Sequence, residues 1–202
     1  MSHPSIVVFD LGKVLVDFDY SIATRKLAAR CRKSLFEIAE VITQSRFIID
    51  YEAGKLTRPE FFKQVQETTG FGGTLDEFGE FFADIFTEIP PMIKVHAELR
   101  QRGFKTFIFS NTNDLAVEHI RRHFPFFKNF DGYIYSYAVG ALKPEAKIYE
   151  ALEQLTGRHG SEVVYLDDRP ENVAAGAARG WRAFVHESPE KSRQALTTLG
   201  LL

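Results

Sequence analysis

The chain has 202 residues, 45% of them hydrophobic and 26% charged, with a formal net charge of −2. That length supports one sizeable core, or a core with a smaller second unit. The near-neutral charge removes any global electrostatic case for nucleic acid or an anionic membrane surface. In chain order, the first predicted strand is the apolar run at 5–9, which ends in Asp10. Four more short runs, at 105–109, 132–135, 163–166 and 183–185, are rich in Val, Ile, Phe and Tyr and do not alternate, as suits strands covered on both faces. Helical patterns separate the last four. Ile148, Leu152 and Leu155 recur at helical spacing, with Pro144 expected in the first turn of that helix, and Ser188 before Pro189 marks another start. The alternation predicts a doubly wound α/β parallel sheet.

Between the first and second strands lie roughly ninety residues with no strand pattern after the opening turn, far more than one crossover helix needs. Helix starts fill that stretch. Ser34, Thr57 and Thr74 each have a Glu three residues on, at Glu37, Glu60 and Glu77, the capping-box spacing. Leu75, Phe78, Phe82 and Ile85 then form an apolar stripe. The prediction is an all-helical insert at 17–88 interrupting a core made of 1–16 and 89–202, with Ile89 and the prolines after it marking the return.

Ligands of open parallel sheets bind beyond the carboxyl ends of the strands. Asp10, the triplet Ser110, Asn111 and Thr112, and the pair Asp167 and Asp168 all fall at such ends, and Lys143 opens the helix after the third strand. Singly, each has a plainer reading as a strand end, an N-cap or a solvated helix start. Together they supply three carboxylates, which repel one another unless a cation sits among them. Mg²⁺ with oxygen ligands is the natural choice, and the charged pocket then suits a phosphoryl group held by Ser110 and helix N-terminal amides.

The segments "FDLGKVLVD", "FSNTND", "LKPEAKIY" and "YLDDRPENVAAGAARGW" resemble, in order, the four motifs of the haloacid dehalogenase superfamily of phosphohydrolases. The resemblance covers nearly the whole chain. It implies a Rossmann-like core with a helical cap of the C1 type. It implies Asp10 as a nucleophile forming an aspartyl-phosphate, Ser110 and Asn111 as phosphate-binding residues, and Lys143 as the neutralising cation. It also implies a Mg²⁺ site of Asp10, the Gly12 carbonyl and Asp168, supported by Asp167 and Asn172. One position departs from the pattern. The family's second Asp, two residues after the nucleophile, is Gly12 here, so the backbone ligand survives while the general acid is lost. Bacterial members of the glucose-1-phosphate phosphatase type are similar in carrying Asp-Leu-Gly.

Asp17 and Asp19 are candidates for the missing acid. Lys13 either reaches a substrate anion or stays in solvent. Tyr51, Glu52 and Lys55 either read the substrate or form an ordinary polar loop. The expected reaction is Mg²⁺-dependent hydrolysis of a small phosphorylated metabolite, with a sugar phosphate such as glucose 1-phosphate foremost. The rivals are a 2-haloacid dehalogenase, whose leaving halide needs no proton, and a catalytically weak member that binds a phospho-ligand or a protein. The lone Cys31 excludes an internal disulfide and suits a reducing, cytoplasmic setting. The first residues do not read as a signal peptide, and no apolar run approaches the ~18 residues of a membrane span.

Overall fold

The computed structural model describes residues 3–202. The chain enters through β1 (Ile6–Phe9), passes β2 (Val16–Phe18), and runs through α1 (Tyr20–Ala28), α2 (Leu35–Gln44), α3 (Arg46–Glu52), α4 (Arg58–Thr69) and α5 (Leu75–Ala83). It returns by β3 (Phe86–Glu88) and α6 (Pro90–Gln101), then follows β4 (Lys105–Ser110), α7 (Asp114–His123), β5 (Gly132–Tyr135), α8 (Ser136–Val139) and α9 (Ala146–Thr156). It closes with β6 (Val163–Asp167), α10 (Pro170–Ala178), β7 (Arg182–Val185) and α11 (Pro189–Thr198).

Five parallel strands form the main sheet in the order β5-β4-β1-β6-β7. The two faces of β1 divide by residue parity. Val7 and Phe9 pack with Met92, Leu99 and Ile108 in one cluster. Ile6 and Val8 pack with Phe109, Tyr149, Tyr165 and Trp181 in the other. Burial on both faces explains the unbroken apolar runs that mark these strands in the sequence. The chain winds from β1 out through β4 to β5, then crosses to the far side of β1 for β6 and β7. Asp10, at the end of β1, therefore sits at the topological switch point, where open α/β sheets bind their ligands.

Helices α1–α5 have their own apolar cluster, centred on the fully buried Phe61. Phe61 stacks on Tyr51 at 4.2 Å between ring centroids and touches Phe47, Phe78 and Phe82. Ser34, Thr57 and Thr74 are the N-caps of α2, α4 and α5, each with its Glu accepting from the cap backbone N–H. The expectation of a segment without strands is corrected: β2 and β3 pair antiparallel, Val16 with Glu88 and Phe18 with Phe86. Three-residue strands roughly seventy positions apart leave no local periodicity to read. Two smaller corrections concern α9. Pro144 lies in the turn before the helix rather than in its first turn, and its bond to Lys143 is cis. Leu155 faces outward at 57% exposure, while Tyr149 supplies the buried contact.

The helices are tied to the sheet unit at α7 and α8. Arg58 pairs with Asp114 at 2.7 Å and with Glu118 at 2.8 Å, and the Tyr51 hydroxyl donates to Asp114. Gly54, at φ +70°, lies so close to α8 that a Cβ there would stand 2.2 Å from the Tyr137 carbonyl oxygen. Only glycine permits both that conformation and that approach. Because Phe61 holds the helical cluster together, Phe61→Ala is expected to lower the unfolding free energy by ~3–5 kcal/mol. Urea titration measures it, and a loss below ~1 kcal/mol would contradict this central placement.

Candidate active site

The chemical groups arrive at the carboxyl edge from the ends of β1, β4 and β6 and from one loop. Asp10 continues β1, with its backbone N–H bonded to the Leu166 carbonyl at 2.8 Å. Lys143 comes from the loop between α8 and α9. Its Nζ lies 3.0 Å from Asp10 Oδ1 and 2.6 Å from Asp167 Oδ2, and donates to the Phe109 carbonyl at 2.9 Å. The Lys143 side chain is 1% exposed and that of Asp167 is 0% exposed, so the pair is sealed from water. Asn111 fixes the lysine backbone from both sides. Its Oδ1 accepts from Lys143 N–H at 2.7 Å, and its Nδ2 donates to the Lys143 carbonyl at 3.0 Å.

Asp167 is fully subscribed. The Tyr165 hydroxyl, the Arg169 N–H and the Asn172 amide all donate to it alongside Lys143. Burial alone would raise its carboxyl, but Lys143 and these donors outweigh burial and hold it below the usual range. Asp10 and Asp168 are different. Burial pushes the Asp10 carboxyl up despite Lys143 beside it, and the Asp167 charge adds to the rise. Burial and Asp167 likewise raise Asp168.

One oxygen from each of Asp10, Asp167 and Asp168 can be chosen so that all three lie within 4.8 Å of one another. Two raised carboxyls in such a cluster are short of positive charge, which is the donor chemistry a hard divalent cation fits. Asn172 Oδ1 is buried beside them without a hydrogen-bond partner among the described residues, an acceptor left over for a donor such as a cation's water. The turn after Asp10 leaves a backbone acceptor as well. Its bonds run from Lys13 N–H to Val16 O and from Leu15 and Val16 N–H to Leu11 O, and the Gly12 carbonyl takes part in none of them.

A cavity of about 380 Å³ opens over this edge. Its floor includes Asp10, Gly12, Ser110, Asn111, Lys143, Asp168 and Asn172; its roof includes Phe18, Tyr20, Ile49, Glu52, Phe82 and Phe86. Lys13 lines the cavity, but its ammonium pairs with Asp17 and lies over the Phe18 ring at 4.6 Å. A side chain at residue 12 would begin 3.0 Å from Phe18 Cε1, so this ring takes up the space beside the glycine.

Several expected contacts fall elsewhere. Tyr51 is buried against Phe61 and Asp114, joining α3 to α7, and does not line the cavity. Lys55 is exposed and pairs with Asp50 at 3.2 Å. The Asn111 side chain is committed to Lys143 rather than turned to a phosphate. Asp17 pairs with Lys13, and Asp19 caps α1 by accepting from Ser21 N–H, so neither is a spare acid and neither lines the cavity. The N-cap of α7 is Asn113, one residue past the predicted triplet. Sequence reasoning missed the aromatic roof, because apolar positions at helical spacing look alike whether they face a core or a cavity. Arg169, directly after Asp168, also lines the cavity, and its place beside the acidic pair was a signal that could have found it.

The sequence pattern of the haloacid dehalogenase-like hydrolases matches residues 4–180. The chain is 25% identical to the D-ribitol-5-phosphate phosphatase of Bacteroides thetaiotaomicron over 199 residues, covering 96% of this chain and 97% of that one. Among solved structures, a predicted HAD-like family hydrolase from Porphyromonas gingivalis superposes with a TM-score of 0.80 at 22% identity, covering 96% and 98% of the two chains. A HAD family enzyme from Bacteroides thetaiotaomicron, solved with magnesium and inorganic phosphate, gives 0.79 at 21% identity over 90% and 93%. With the family's pattern running through residues 4–180, this chain belongs to the haloacid dehalogenase-like hydrolases.

Proposed function

We propose that the protein is a Mg²⁺-dependent phosphatase of small phosphomonoesters that works through an aspartyl-phosphate on Asp10. The observation that carries this reading is the charge arrangement on the cavity floor. A buried lysine neutralises Asp10 and Asp167 from behind, while Asp10 and Asp168 face the cavity with their carboxyls raised. Held by Asp10, Asp168 and the Gly12 carbonyl, Mg²⁺ would supply the missing charge and polarise a phosphoryl oxygen.

The chain's own residues account for the rest. Leu11 N–H and Lys143 both contact Asp10 Oδ1, at 2.7 and 3.0 Å, which fixes the carboxylate and leaves Oδ2 to attack phosphorus. Lys143 offsets charge on the nucleophile as the bond forms. Asn111 keeps Lys143 in place. The Ser110 hydroxyl, whose internal contact is a long 3.3 Å to the Asn111 carbonyl, holds a phosphoryl oxygen. Asp167 and Asn172 position Lys143 and the acid cluster. The helical segment at 17–88 serves as a cap over the core of 1–16 and 89–202, with Glu52 from the cap and Lys13 from the core as polar contacts to substrate.

The cavity volume lies at the small end of the ~300–1,000 Å³ of ordinary ligand sites, which suits a compact metabolite. A sugar or sugar-alcohol phosphate is the substrate class, with glucose 1-phosphate the first to test. The likeness to the D-ribitol-5-phosphate phosphatase supports it. A 2-haloacid is a poorer fit. Its carboxylate would meet Asp168, and each lysine or arginine lining the cavity already has a carboxylate partner: Lys143 with Asp167, Lys13 with Asp17, Arg169 with Glu171.

Two variants test this. Asp168→Ala should lose Mg²⁺ dependence and nearly all turnover of p-nitrophenyl phosphate; full activity in that variant, or in the natural protein under chelator, sinks the metal assignment. Asp10→Asn is close to isosteric and should remain folded by circular dichroism while losing hydrolysis. Retained hydrolysis would rule out a carboxylate nucleophile at residue 10.

A further inference from the structure

We propose that Glu52 is the proton donor and acceptor that residue 12 lacks, acting on the leaving oxygen from the roof of the cavity. This rests on the phosphatase reading above. In an in-line displacement the leaving oxygen points away from the attacking one. Asp10 attacks from the floor, so the leaving oxygen is directed toward the helical roof. On the floor, residue 12 has no side chain with which to meet it, and Asp10 and Asp168 are taken up by the phosphoryl group and the cation.

Three acidic side chains line the cavity, and two of them, Asp10 and Asp168, lie on the floor; Glu52 is the roof's acid. Its position is over-determined by its neighbours. Tyr51, just before it, donates to Asp114 on α7, and Gly54, two residues after it, is pressed against the Tyr137 carbonyl on α8. The end of α3 is thereby clamped above the carboxyl edge of the sheet. Glu52 has neither a hydrogen bond nor an ion pair among the described residues, so its carboxyl is not committed to holding the fold together. Tyr20, from α1, lies close enough to feel its charge, and Lys13, Asp10, Asp168, Lys143 and Arg169 share the cavity. Burial pushes the Glu52 carboxyl up to about 7. A group half protonated near neutrality can serve as acid in one step and base in the next.

The steps balance. Asp10 Oδ2 bonds to phosphorus as the bond from phosphorus to the leaving oxygen breaks, and the Glu52 proton passes to that oxygen to give the free alcohol. The Glu52 carboxylate then takes a proton from water as its oxygen attacks the aspartyl-phosphate. Inorganic phosphate departs, the Asp10 carboxylate is restored, and Glu52 is protonated again.

Glu52→Gln keeps the shape and removes the proton. An alkyl phosphate such as glycerol phosphate needs its leaving oxygen protonated, whereas p-nitrophenolate leaves without help. The expected result is a fall in kcat/KM of ~10²-fold or more for the alkyl ester and a far smaller fall for the aryl ester. Hydrolysis of the aspartyl-phosphate should slow in the variant, so that p-nitrophenol appears in a burst of about one equivalent. Glu52→Asp, which keeps an acid on a shorter arm, should fall between Gln and the natural protein on the alkyl ester. Equal losses of kcat/KM on both esters, or no loss on either, overturn the role of Glu52 while leaving the phosphatase reading intact. If the natural protein with Mg²⁺ hydrolyses neither ester, the phosphatase reading fails, and the role of Glu52 falls with it.

Discussion

Three carboxylates brought to one sheet edge constrain everything around them. Among the described residues, one ammonium, that of Lys143, pairs with them. It reaches Asp10 and Asp167 at 3.0 and 2.6 Å from a position almost wholly out of water. Breaking a buried pair by removing one partner typically costs ~3–5 kcal/mol, because a charge is left stranded. The surrounding hydrogen bonds follow from that risk. Asn111 locks the lysine backbone, while Tyr165, Asn172 and the Arg169 N–H satisfy Asp167. Once Lys143 and Asp167 are saturated, the unmet demand for positive charge falls on Asp10 and Asp168, the two acids that face the cavity.

How much of this was legible in the sequence depended on whether a residue's role was local. The strand runs ending in Asp10, Ser110 and Asp167 were readable because burial on both faces leaves an unbroken apolar signature. The caps at Ser34, Thr57 and Thr74 were readable because a capping box spans four residues. The pairing of β2 with β3 was invisible, since its partners are distant and short. The resemblance implied Asn111 as a phosphate-binding residue, and Tyr51 was open between reading the substrate and an ordinary polar loop. In the fold they serve packing and the positioning of Lys143. Which of Lys13, Tyr51, Glu52 and Lys55 face the cavity depends on how the helical segment docks, and that turns on Gly54 against α8, a contact between residues far apart in sequence.

The helical segment changes what Gly12 means. Read in the chain alone, a glycine two positions after the nucleophile is a loss. In the fold the space beside it is taken by the Phe18 ring, which also lies under the Lys13 ammonium and lines the cavity roof. An acidic side chain there would have to displace that ring by a few tenths of an ångström before reaching the cavity. Division of labour between a floor that holds charge and a roof that is mostly apolar matches a substrate with one charged end and a compact remainder.

The claim on which the rest depends is that Asp10 becomes phosphorylated with a divalent cation beside it. Trifluoroberyllate mimics an acyl phosphate by binding an aspartate oxygen, so fluorine NMR of the protein with beryllium, fluoride and Mg²⁺ tests it directly. The account predicts a bound fluoride signal that requires Mg²⁺ and disappears in Asp10→Asn. A folded protein that binds no trifluoroberyllate, or that binds it equally well without Mg²⁺ or without the Asp10 carboxylate, would contradict it.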